Sequence, residues 1–352
     1  MKSDGFHLAV LDPRSTPAWD DFAESSCAAT VFHTSNWANV LAETYAFEPR
    51  YVAAVTTSGR VLAGIPIMLV RSPLTGHRMI GLPFSDACPP LLDGFPEARL
   101  VVDAALEDYR GNGCAFLELR GADGVEFEKA DFNRFDFVQH QVSLEPSLDE
   151  IEAGLSSAKR RARNRALKEG VEVIRSFSAA DLKTFYGLYI GTRRKHGLPP
   201  APFAFFENIW RVLIQPGQGC LLMAMWKGHI IAIDLVLWYR DCLHYKFNVW
   251  DTRFQEVRPN DLLLWEAIRL GKELSLARFD LGRCEPENEG LRRFKMGWSA
   301  KESVLPYQFY PEVRGFTAGA EEKASHRIAA TVIRHTPRSI LAQAGFLYRH
   351  LA

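Results

Sequence analysis

The sequence predicts a mixed α/β protein that is built from two similar halves. Strand-like and helix-like segments alternate along the 352 residues, and strands occur both before and between helices. The order strand, two helices, antiparallel strands, helix and strand occurs in each half, which indicates a structural duplication. A chain of this length is expected to form two domains. We therefore predict mixed sheets in an N-terminal domain at 1–150 and a C-terminal domain at 151–312, followed by a helical tail at 313–352.

The composition is typical of a globular protein that is not integral to a membrane. Hydrophobic residues make up 47% of the chain and charged residues 24%. The 42 basic and 42 acidic residues cancel, so the overall charge does not indicate nucleic-acid or membrane binding. No segment reaches the roughly 18 uninterrupted apolar residues of a membrane span, and the N-terminus has no long apolar core. We expect a cytoplasmic location.

The individual elements follow from alternating and helical apolar patterns and from the glycines and prolines that separate them. In the first half we predict strands near 6–11, 51–55, 61–70, 79, 115–119 and 135–144, and helices near 17–27, 35–45 and 97–109. In the second half we predict strands at 171–176, 220–226, 230–239, 243–248, 278–281 and 300–310. The helices of that half are predicted at 179–195, 202–213 and 261–274, with a further helix around Lys295.

A basic helix is predicted between the halves at 156–169, where Ser156 or Ser157 can cap it and Gly170 can end it. Its six cations, with no acid among them, are Lys159, Arg160, Arg161, Arg163, Arg165 and Lys168. Because arginine matches phosphate geometry, this helix could bind a nucleotide, a lipid pyrophosphate or tRNA. Alternatively, it is a solvated linker whose charges meet the acids of the preceding turns, which are Asp149, Glu150 and Glu152.

The segment 279–307 has the features of a transferase site. A short alternating strand runs into Gly282, which lets the backbone turn, and a polar loop follows. An apolar stripe at helical spacing comes next, formed by Leu291, Phe294 and Trp298. Lys295 lies beside this stripe, and a cation there could stabilise the oxyanion of acyl transfer by about 3 kcal/mol. Alternatively, Lys295 only extends along the stripe into solvent.

Several single polar residues indicate a cleft in the second half. Asp234 interrupts the apolar strand IIAIDLVLWY, so it must be paired or line a cavity. In a cleft, a raised pKa would make it a general base for an acceptor amine or hydroxyl. His244 and Tyr245 on the next strand could reach the same space, although alternation allows only one of them to face it. Trp37 and the nearby His33 could contact substrate or pack in the core.

The six cysteines show no metal-binding pattern, because they are scattered and form neither a CxxC pair nor a group with histidines at zinc-ligand spacing. We therefore predict no metal. Cys114 and Cys220 lie in apolar runs and fit core positions. Cys284, in the polar segment after the glycine, is the candidate reactive thiol, although a core position is the simpler interpretation.

The C-terminal tail carries arginines and apolar residues at helical intervals. The arginines are Arg327, Arg334, Arg338 and Arg349, and the apolar residues include Ile328, Val332, Ile340, Leu341 and Phe346. Such a tail could make peripheral contact with a membrane surface or dock on another protein. It could also pack on its own domain.

Four stretches carry a family resemblance, and they are VFHTSNWANVLAETYAFEP, AKRRARNRALKEGVEV, YIGTRRKHGLPPAPFAFFENIW and FDLGRCEPENEGLRRFKMGW. In their order and spacing the chain resembles the FemAB-related, GNAT-like acyltransferases, which include peptidoglycan-bridge aminoacyltransferases and proteins associated with exopolysaccharide systems. The resemblance spans nearly the whole chain and implies two tandem GNAT-like domains with a substrate cleft. It implies that Lys295, in the FK motif, assists acyl transfer and that basic residues hold a pyrophosphate. The candidate substrate-binding residues are Arg160, Arg161, Arg163, Arg193, Arg194, Trp37, Tyr245 and Arg283.

Two departures from the family pattern concern the acyl donor. A coenzyme A-dependent GNAT protein has a Q/RxxGxG/A turn whose amides hold the pyrophosphate at a helix N-terminus. The matching segment here, RFQEVRPNDLLLW, has no glycine, which argues against acetyl-CoA binding in that manner. The long charged coiled-coil arm of some tRNA-using members is also missing. Acyl-CoA and aminoacyl-tRNA both stay open as co-substrates, and we expect no tightly bound cofactor.

These observations predict an acyltransferase that moves an acyl or aminoacyl group to an amine or hydroxyl of a cell-envelope or polysaccharide precursor. Its partner would be a phosphorylated or sugar-linked small molecule. The alternative is a noncatalytic GNAT-like scaffold that binds a polysaccharide-assembly partner or a lipid-linked sugar, which the degenerate turn supports. A third interpretation, tRNA or RNA binding without transfer, requires strongly salt-dependent affinity through the arginine helix.

Overall fold

The computed structural model describes residues 5–92, 94–123, 125, 132–311 and 324–351. The chain forms two compact units. The first unit comprises Met1–Phe137, Val304–Ala320 and Arg349–Ala352, and the second comprises Val138–Ser303 and Glu321–Tyr348. Both contain strands and helices, so the predicted mixed α/β class is confirmed. The predicted domain limits, 1–150 and 151–312, stay a prediction.

The first unit contains a three-stranded antiparallel sheet and strands of a mixed sheet. The small sheet has the order β1-β3-β4, formed by β1 (Phe6–Leu11), β3 (Tyr51–Thr56) and β4 (Val61–Ile65). The other strands are β2 (Glu48–Pro49), β5 (Met68–Ser72), β6 (Gly76–Ile80), β7 (Leu117–Arg120) and most of β14 (Lys301–Tyr310). They lie in the order β2-β5-β6-β7-β14. The helices are α1 (Pro17–Ser25), α2 (Ser35–Tyr45) and α3 (Ala98–Gly111).

The second unit is organised around strands in the order β8-β13-β12-β11-β10-β9. They are β8 (Asn133–Ser143, in part), β9 (Glu172–Ser176), β10 (Gly219–Trp226), β11 (His229–Tyr239), β12 (Cys242–Trp250) and β13 (Arg278–Cys284). Neighbouring strands are antiparallel, except that β12 and β13 are parallel. The helices are α4 (Leu148–Gly154), α5 (Ser157–Lys168), α6 (Ala179–His196), α7 (Phe203–Ile209), α8 (Pro259–Glu273), α9 (Glu289–Met296), α10 (Ala324–His335) and α11 (Arg338–Gln343).

Helices cover both faces of this second sheet. Helix α8 is apolar around much of its circumference and packs on β10 and β11, where Val236 belongs to the shared core. On the other face, Phe247 of β12 is opposite Leu235 and contacts an aromatic cluster from α6 and α7. Because successive side chains of a strand alternate, a polar residue within β11 must be buried on one of these two faces.

Most predicted elements are present within a few residues, and the exceptions have local causes. The predicted strand 61–70 is two strands because Pro66 cannot donate a backbone hydrogen bond. Strand β13 does not end at Leu281 but continues to Cys284, because Gly282 adopts a left-handed φ of 73° inside a bulge. Within the described residues, no helix combines the length and apolar character that crossing a membrane requires.

Candidate functional site

A buried carboxyl lies at the centre of the second unit. Asp234 of β11 is 0% exposed, and its Oδ1 accepts a hydrogen bond of 2.7 Å from Asn248 Nδ2 of β12, its register partner. Asn248 Nδ2 also donates to Asn260 Oδ1, in the first turn of α8, at 3.2 Å. The second oxygen, Oδ2, accepts no hydrogen bond from Asn248 or Asn260, and Tyr245 is the other polar side chain that interacts with this carboxyl. The cluster therefore joins two strands to the start of α8 and has Tyr245 beside it.

Burial changes the protonation of this carboxyl. It raises the pKa of Asp234 to about 7, because the charged form loses the solvation that water would provide. Asn248 and Tyr245 favour the charged form and oppose this rise only in part. A carboxyl that titrates near neutral pH can accept a proton and release it again, which is the requirement for a general base.

Tyr245 and His244 face opposite sides of β12. The Tyr245 side chain interacts with Asp234, whereas His244 Nδ1 lies 3.7 Å from Asp280 Oδ2 of β13. Burial, and then Asp234, raise the pKa of Tyr245 well above its usual value, so Tyr245 keeps its proton at neutral pH. Parallel pairing of β12 with β13 ends at His244 and Asp280. The half-buried Tyr245 is therefore the first residue of β12 beyond that pairing.

Lys295 of α9 is buried and does not extend into solvent. Its Nζ donates to the backbone oxygens of Gly282 at 2.8 Å and of Arg283 at 3.1 Å. Both carbonyls belong to the bulge of β13, where the register shifts between Asp280 and Arg283. The ammonium therefore stabilises an irregular strand next to the point at which β12 and β13 stop pairing.

A second buried group lies beside Lys295. His140 Nε2 is 2.9 Å from Glu302 Oε1, and Glu302 also accepts two hydrogen bonds of 2.9 Å from Arg292. Burial and the charge of Lys295 lower the pKa of His140. The candidate reactive thiol, Cys284, is buried, and its Sγ lies 3.9 Å from His140 Nδ1. Burial raises its pKa, and because β13 continues through Cys284, the side chain points inward and takes a core position.

Ion pairs neutralise part of the basic helix α5. Lys159 Nζ lies 2.8 Å from Asp261 Oδ1 of α8 and 3.4 Å from the centre of the Phe294 ring. Arg163 is buried and forms an ion pair with Glu152, as the linker alternative predicts for the preceding acids. The structure therefore does not present Arg163 to a phosphate in solvent.

The remaining cations of α5 are more accessible. Arg165 lies 3.4 Å from Glu256. Arg160 is half-buried and Arg161 is exposed, and within the part of the chain that the structure describes neither side chain forms a hydrogen bond or ion pair. Of the three arginines predicted on this helix to bind phosphate, these two keep that capacity.

A pocket of about 750 Å³ lies at the C-terminal end of β12. Its lining residues are Leu188, Gly191, Thr192, Lys195, His196, Trp250, Asp251, Thr252, Arg253 and Arg338. Lys195, Arg253 and Arg338 are cations, and Asp251 is the single acid, bound to Arg253 at 2.6 Å. The pocket therefore has a net positive charge and a volume suited to a small molecule.

The turn between β12 and α8 forms one wall of this pocket. Arg258 adopts the left-handed conformation, with φ 55°, immediately before Pro259 begins α8. Glycine adopts this conformation at lower cost. Here an arginine adopts it instead, and the chain keeps a sharp turn without the glycine of the family pattern. In the first turn of α8, Asp261 contributes a negative charge that Lys159 offsets. The positive charge of the pocket comes from the side chains of Lys195, Arg253 and Arg338.

The other predicted residues lie outside this pocket. Arg193 Nε donates to Pro199 O, and Arg194 Nε donates to Arg334 O of α10. Trp37 is fully buried in the first unit, in accord with the core alternative, and Arg283 is half-buried in β13. Of the Arg-Arg-Lys run that contains the two predicted arginines, Lys195 lines this pocket, and the substrate-binding role of Arg193 and Arg194 stays a prediction.

Sequence reasoning missed Lys195, Arg253 and Arg338 as pocket residues. One signal for Lys195 was present, because the α6 residues that line the pocket, Leu188, Gly191, Thr192 and Lys195, follow the spacing of one helical face. No local pattern marks Arg338, which reaches the pocket from a helix more than 140 positions later in the chain.

Comparison with known proteins identifies the fold. Residues 156–296 match the family described as Acetyltransferase (GNAT) domain. The chain is similar to the solved structure of FemX, with a TM-score of 0.68 at 16% identity, covering 86% of this chain and 96% of that one. It is also similar to L-PGS from Bacillus licheniformis, with a TM-score of 0.56 at 14% identity and coverage of 92% and 98%.

A third similar structure is a tandem GNAT protein from the clavulanic acid biosynthesis pathway. Its TM-score is 0.52 at 8% identity, and the alignment covers 87% of this chain and 98% of that one. A comparison with curated protein sequences finds no match. At these identities the structural similarities concern the fold, which is the tandem GNAT-like arrangement that the sequence predicts.

Proposed function

Because the chain has a FemX-like, tandem GNAT fold with a GNAT acetyltransferase domain at 156–296, we propose that this protein is an acyltransferase. In this proposal it moves an acyl or aminoacyl group from an activated donor to an amine or hydroxyl. The acceptor is a phosphorylated or sugar-linked precursor of the cell envelope or of a polysaccharide. The observation that carries the proposal is the cationic pocket at the end of β12, two residues beyond Asn248 of the Asp234 cluster.

The charges of the pocket support a phosphorylated ligand. Lys195, Arg253 and Arg338 converge on one cavity, and Asp251 offsets one of the three positive charges. Guanidinium groups donate two parallel hydrogen bonds to phosphate oxygens, and an ammonium adds a point charge. Trp250 adds an aromatic wall, with Lys195 Nζ 5.8 Å from its ring centre. This combination suits a phosphate attached to a sugar or another ring.

Asp234 and Tyr245 are proposed to move the proton that the reaction releases. The acceptor amine attacks the acyl carbon, a bond to that carbon forms, and the bond to the leaving group breaks. The proton of the amine passes to the Tyr245 oxygen while the Tyr245 proton passes to the Asp234 carboxylate. With a pKa near 7, a large fraction of Asp234 is ionised at neutral pH and can accept it. The relay is needed because Asp234 itself is fully buried.

Lys295 is proposed as a positioning residue. Its ammonium holds the carbonyls of Gly282 and Arg283, so it fixes the bulge of β13 next to the end of the β12–β13 pairing. The oxyanion role predicted from the sequence requires the ammonium to turn away from these carbonyls toward the acyl group. Lys295→Arg keeps a cation that can donate to the carbonyls and Lys295→Ala does not. The positioning role therefore requires turnover and unfolding free energy to fall together in Lys295→Ala and to recover together in Lys295→Arg.

The donor is proposed to be an acyl-CoA or an aminoacyl-tRNA, and the pocket does not discriminate between them. GNAT domains use coenzyme A thioesters, but here the turn that would hold the pyrophosphate lacks glycine and is closed by Arg258 in the left-handed conformation. Phosphates of either donor would therefore be held by side chains.

The experiment that tests the proposal is mass-spectrometric detection of transfer by the purified protein. The acceptors are UDP-linked and lipid-linked sugar precursors, and the donors are panels of acyl-CoAs and aminoacyl-tRNAs. We expect an acceptor to gain the mass of one acyl group, and Asp234→Asn to abolish the gain while precursor binding persists. Asp241→Asn, a surface carboxyl that pairs with Arg278, is the matched control. Binding of a precursor without transfer from any donor would favour the scaffold.

A further inference from the structure

The C-terminal segment 324–348 packs on the second unit through small residues. A Cβ on Gly197, at the end of α6, would lie 2.7 Å from Ala330 Cβ, and one on Gly345 would lie 2.8 Å from the Pro202 backbone. Leu341 is buried, and Arg194 donates to the backbone oxygen of Arg334. The segment is therefore fixed to its own unit by one side, as one of the sequence alternatives predicts.

The segment also exposes large apolar side chains. The exposed fractions are 59% for Val332, 54% for Ile340, 62% for Phe346 and 41% for Leu347. Leu198, next to the Gly197 contact, is 43% exposed. Apolar side chains that are exposed together along one short segment indicate a surface that another phase or molecule covers.

The charge of the segment favours one kind of occupant. From Lys323 to the end of the chain there is no aspartate or glutamate, whereas there are five lysines and arginines. Arg334 and Arg338, which belong to α10 and α11, are exposed. The whole chain, in contrast, has equal numbers of acids and bases. Exposed apolar residues among cations without any acid match an anionic bilayer, where apolar side chains enter the headgroup boundary and cations meet lipid phosphates.

We propose that the segment 324–348 docks this protein on an anionic phospholipid bilayer. Ile340 and Phe346 insert at the surface of the bilayer, and Arg334 contacts the headgroups. Arg338 belongs both to this segment and to the cationic pocket, so docking places the pocket next to the lipid surface. The inference goes beyond the proposed acyl transfer and does not depend on it, because binding to lipid is measured without donor or acceptor.

The test is co-sedimentation of the full-length protein with vesicles of phosphatidylcholine alone and of phosphatidylcholine mixed with phosphatidylglycerol. We expect binding to the mixed vesicles, weakening as salt is raised, and little binding to phosphatidylcholine alone. Ile340→Ser and Phe346→Ser should each lower the partition coefficient by about tenfold, and Arg334→Gln by about fivefold.

The matched control is Leu74→Ser, which removes a 70% exposed leucine from the first unit and should leave partitioning unchanged. Thermal melting of each variant tests whether it is folded. Because Ile340, Phe346 and Arg334 are exposed, we expect their variants to melt at the wild-type temperature. Absence of binding to the mixed vesicles, equal binding to both vesicle types, or wild-type partitioning of both serine variants would overturn the proposal. A protein partner instead of a lipid surface would give the first of these results.

Discussion

Replacing Asp234 by asparagine is expected to stabilise the protein at high pH. The carboxyl is 0% exposed, and burial raises its pKa from 3.8 to about 7. A shift of this size corresponds to about 4 kcal/mol of unfolding free energy at 1.36 kcal/mol per pKa unit. Asparagine has the same shape and can still accept the hydrogen bond from Asn248, but it does not ionise.

The direction of the pH dependence follows from proton binding. Because the folded protein holds the Asp234 proton more tightly than the unfolded chain, the native carboxyl contributes its full stability below about pH 4. That contribution is lost as the pH rises through about 7, and it levels off above that value. The asparagine variant lacks this loss. The difference in unfolding free energy between variant and wild type should therefore grow by about 4 kcal/mol between pH 4 and pH 9.

Urea denaturation at a series of pH values, followed by circular dichroism, measures this difference. Asp241→Asn is the control, because Arg278 and its other contacts lower the pKa of Asp241, so its effect on the pH dependence should have the opposite sign. Parallel stability curves for wild type and Asp234→Asn would contradict this prediction, since they would show that Asp234 titrates alike in the folded and unfolded chains.

Three further predictions concern the pocket, the bulge and the relay. Lys195→Ala and Arg338→Ala should each weaken binding of a phosphorylated precursor about tenfold, measured by calorimetry. Lys183→Ala, on the exposed part of α6, should leave this binding unchanged. Equal effects of all three substitutions would contradict a specific pocket. Lys295→Ala should lower the unfolding free energy by about 1–3 kcal/mol, because two carbonyls lose their donor. Lys295→Arg should restore part of this free energy. If urea denaturation shows no loss of unfolding free energy in Lys295→Ala, the positioning role is excluded. Tyr245→Phe should lower kcat about a hundredfold with little change in KM, and an unchanged kcat would exclude the relay.

Local periodicity was sufficient to predict much of the second unit and part of its site. The alternation of β12 predicted that only one of His244 and Tyr245 faces the space around Asp234, and in the structure that residue is Tyr245. The apolar neighbours of Asp234 also indicated that the carboxyl would lie in an environment that raises its pKa.

Contacts between distant parts of the chain could not be predicted in this way. Lys159 is paired with Asp261, 102 positions later in the chain, and Arg338 reaches a pocket built mainly from α6 and the residues that follow β12. The inward direction of Cys284 depends on a bulge at Gly282, which sequence reasoning interpreted as the end of the strand. Tertiary packing decides each of these, and spacing along the chain does not report it.

Acyl transfer by this protein is decided by the intact mass of the acceptor after incubation with a donor and either wild type or Tyr245→Phe. We expect wild type to add one acyl group and the variant to do so at about a hundredth of the rate while binding the acceptor equally well. An acceptor that binds in the cationic pocket and never gains mass from any donor would contradict the claim that this protein is an acyltransferase.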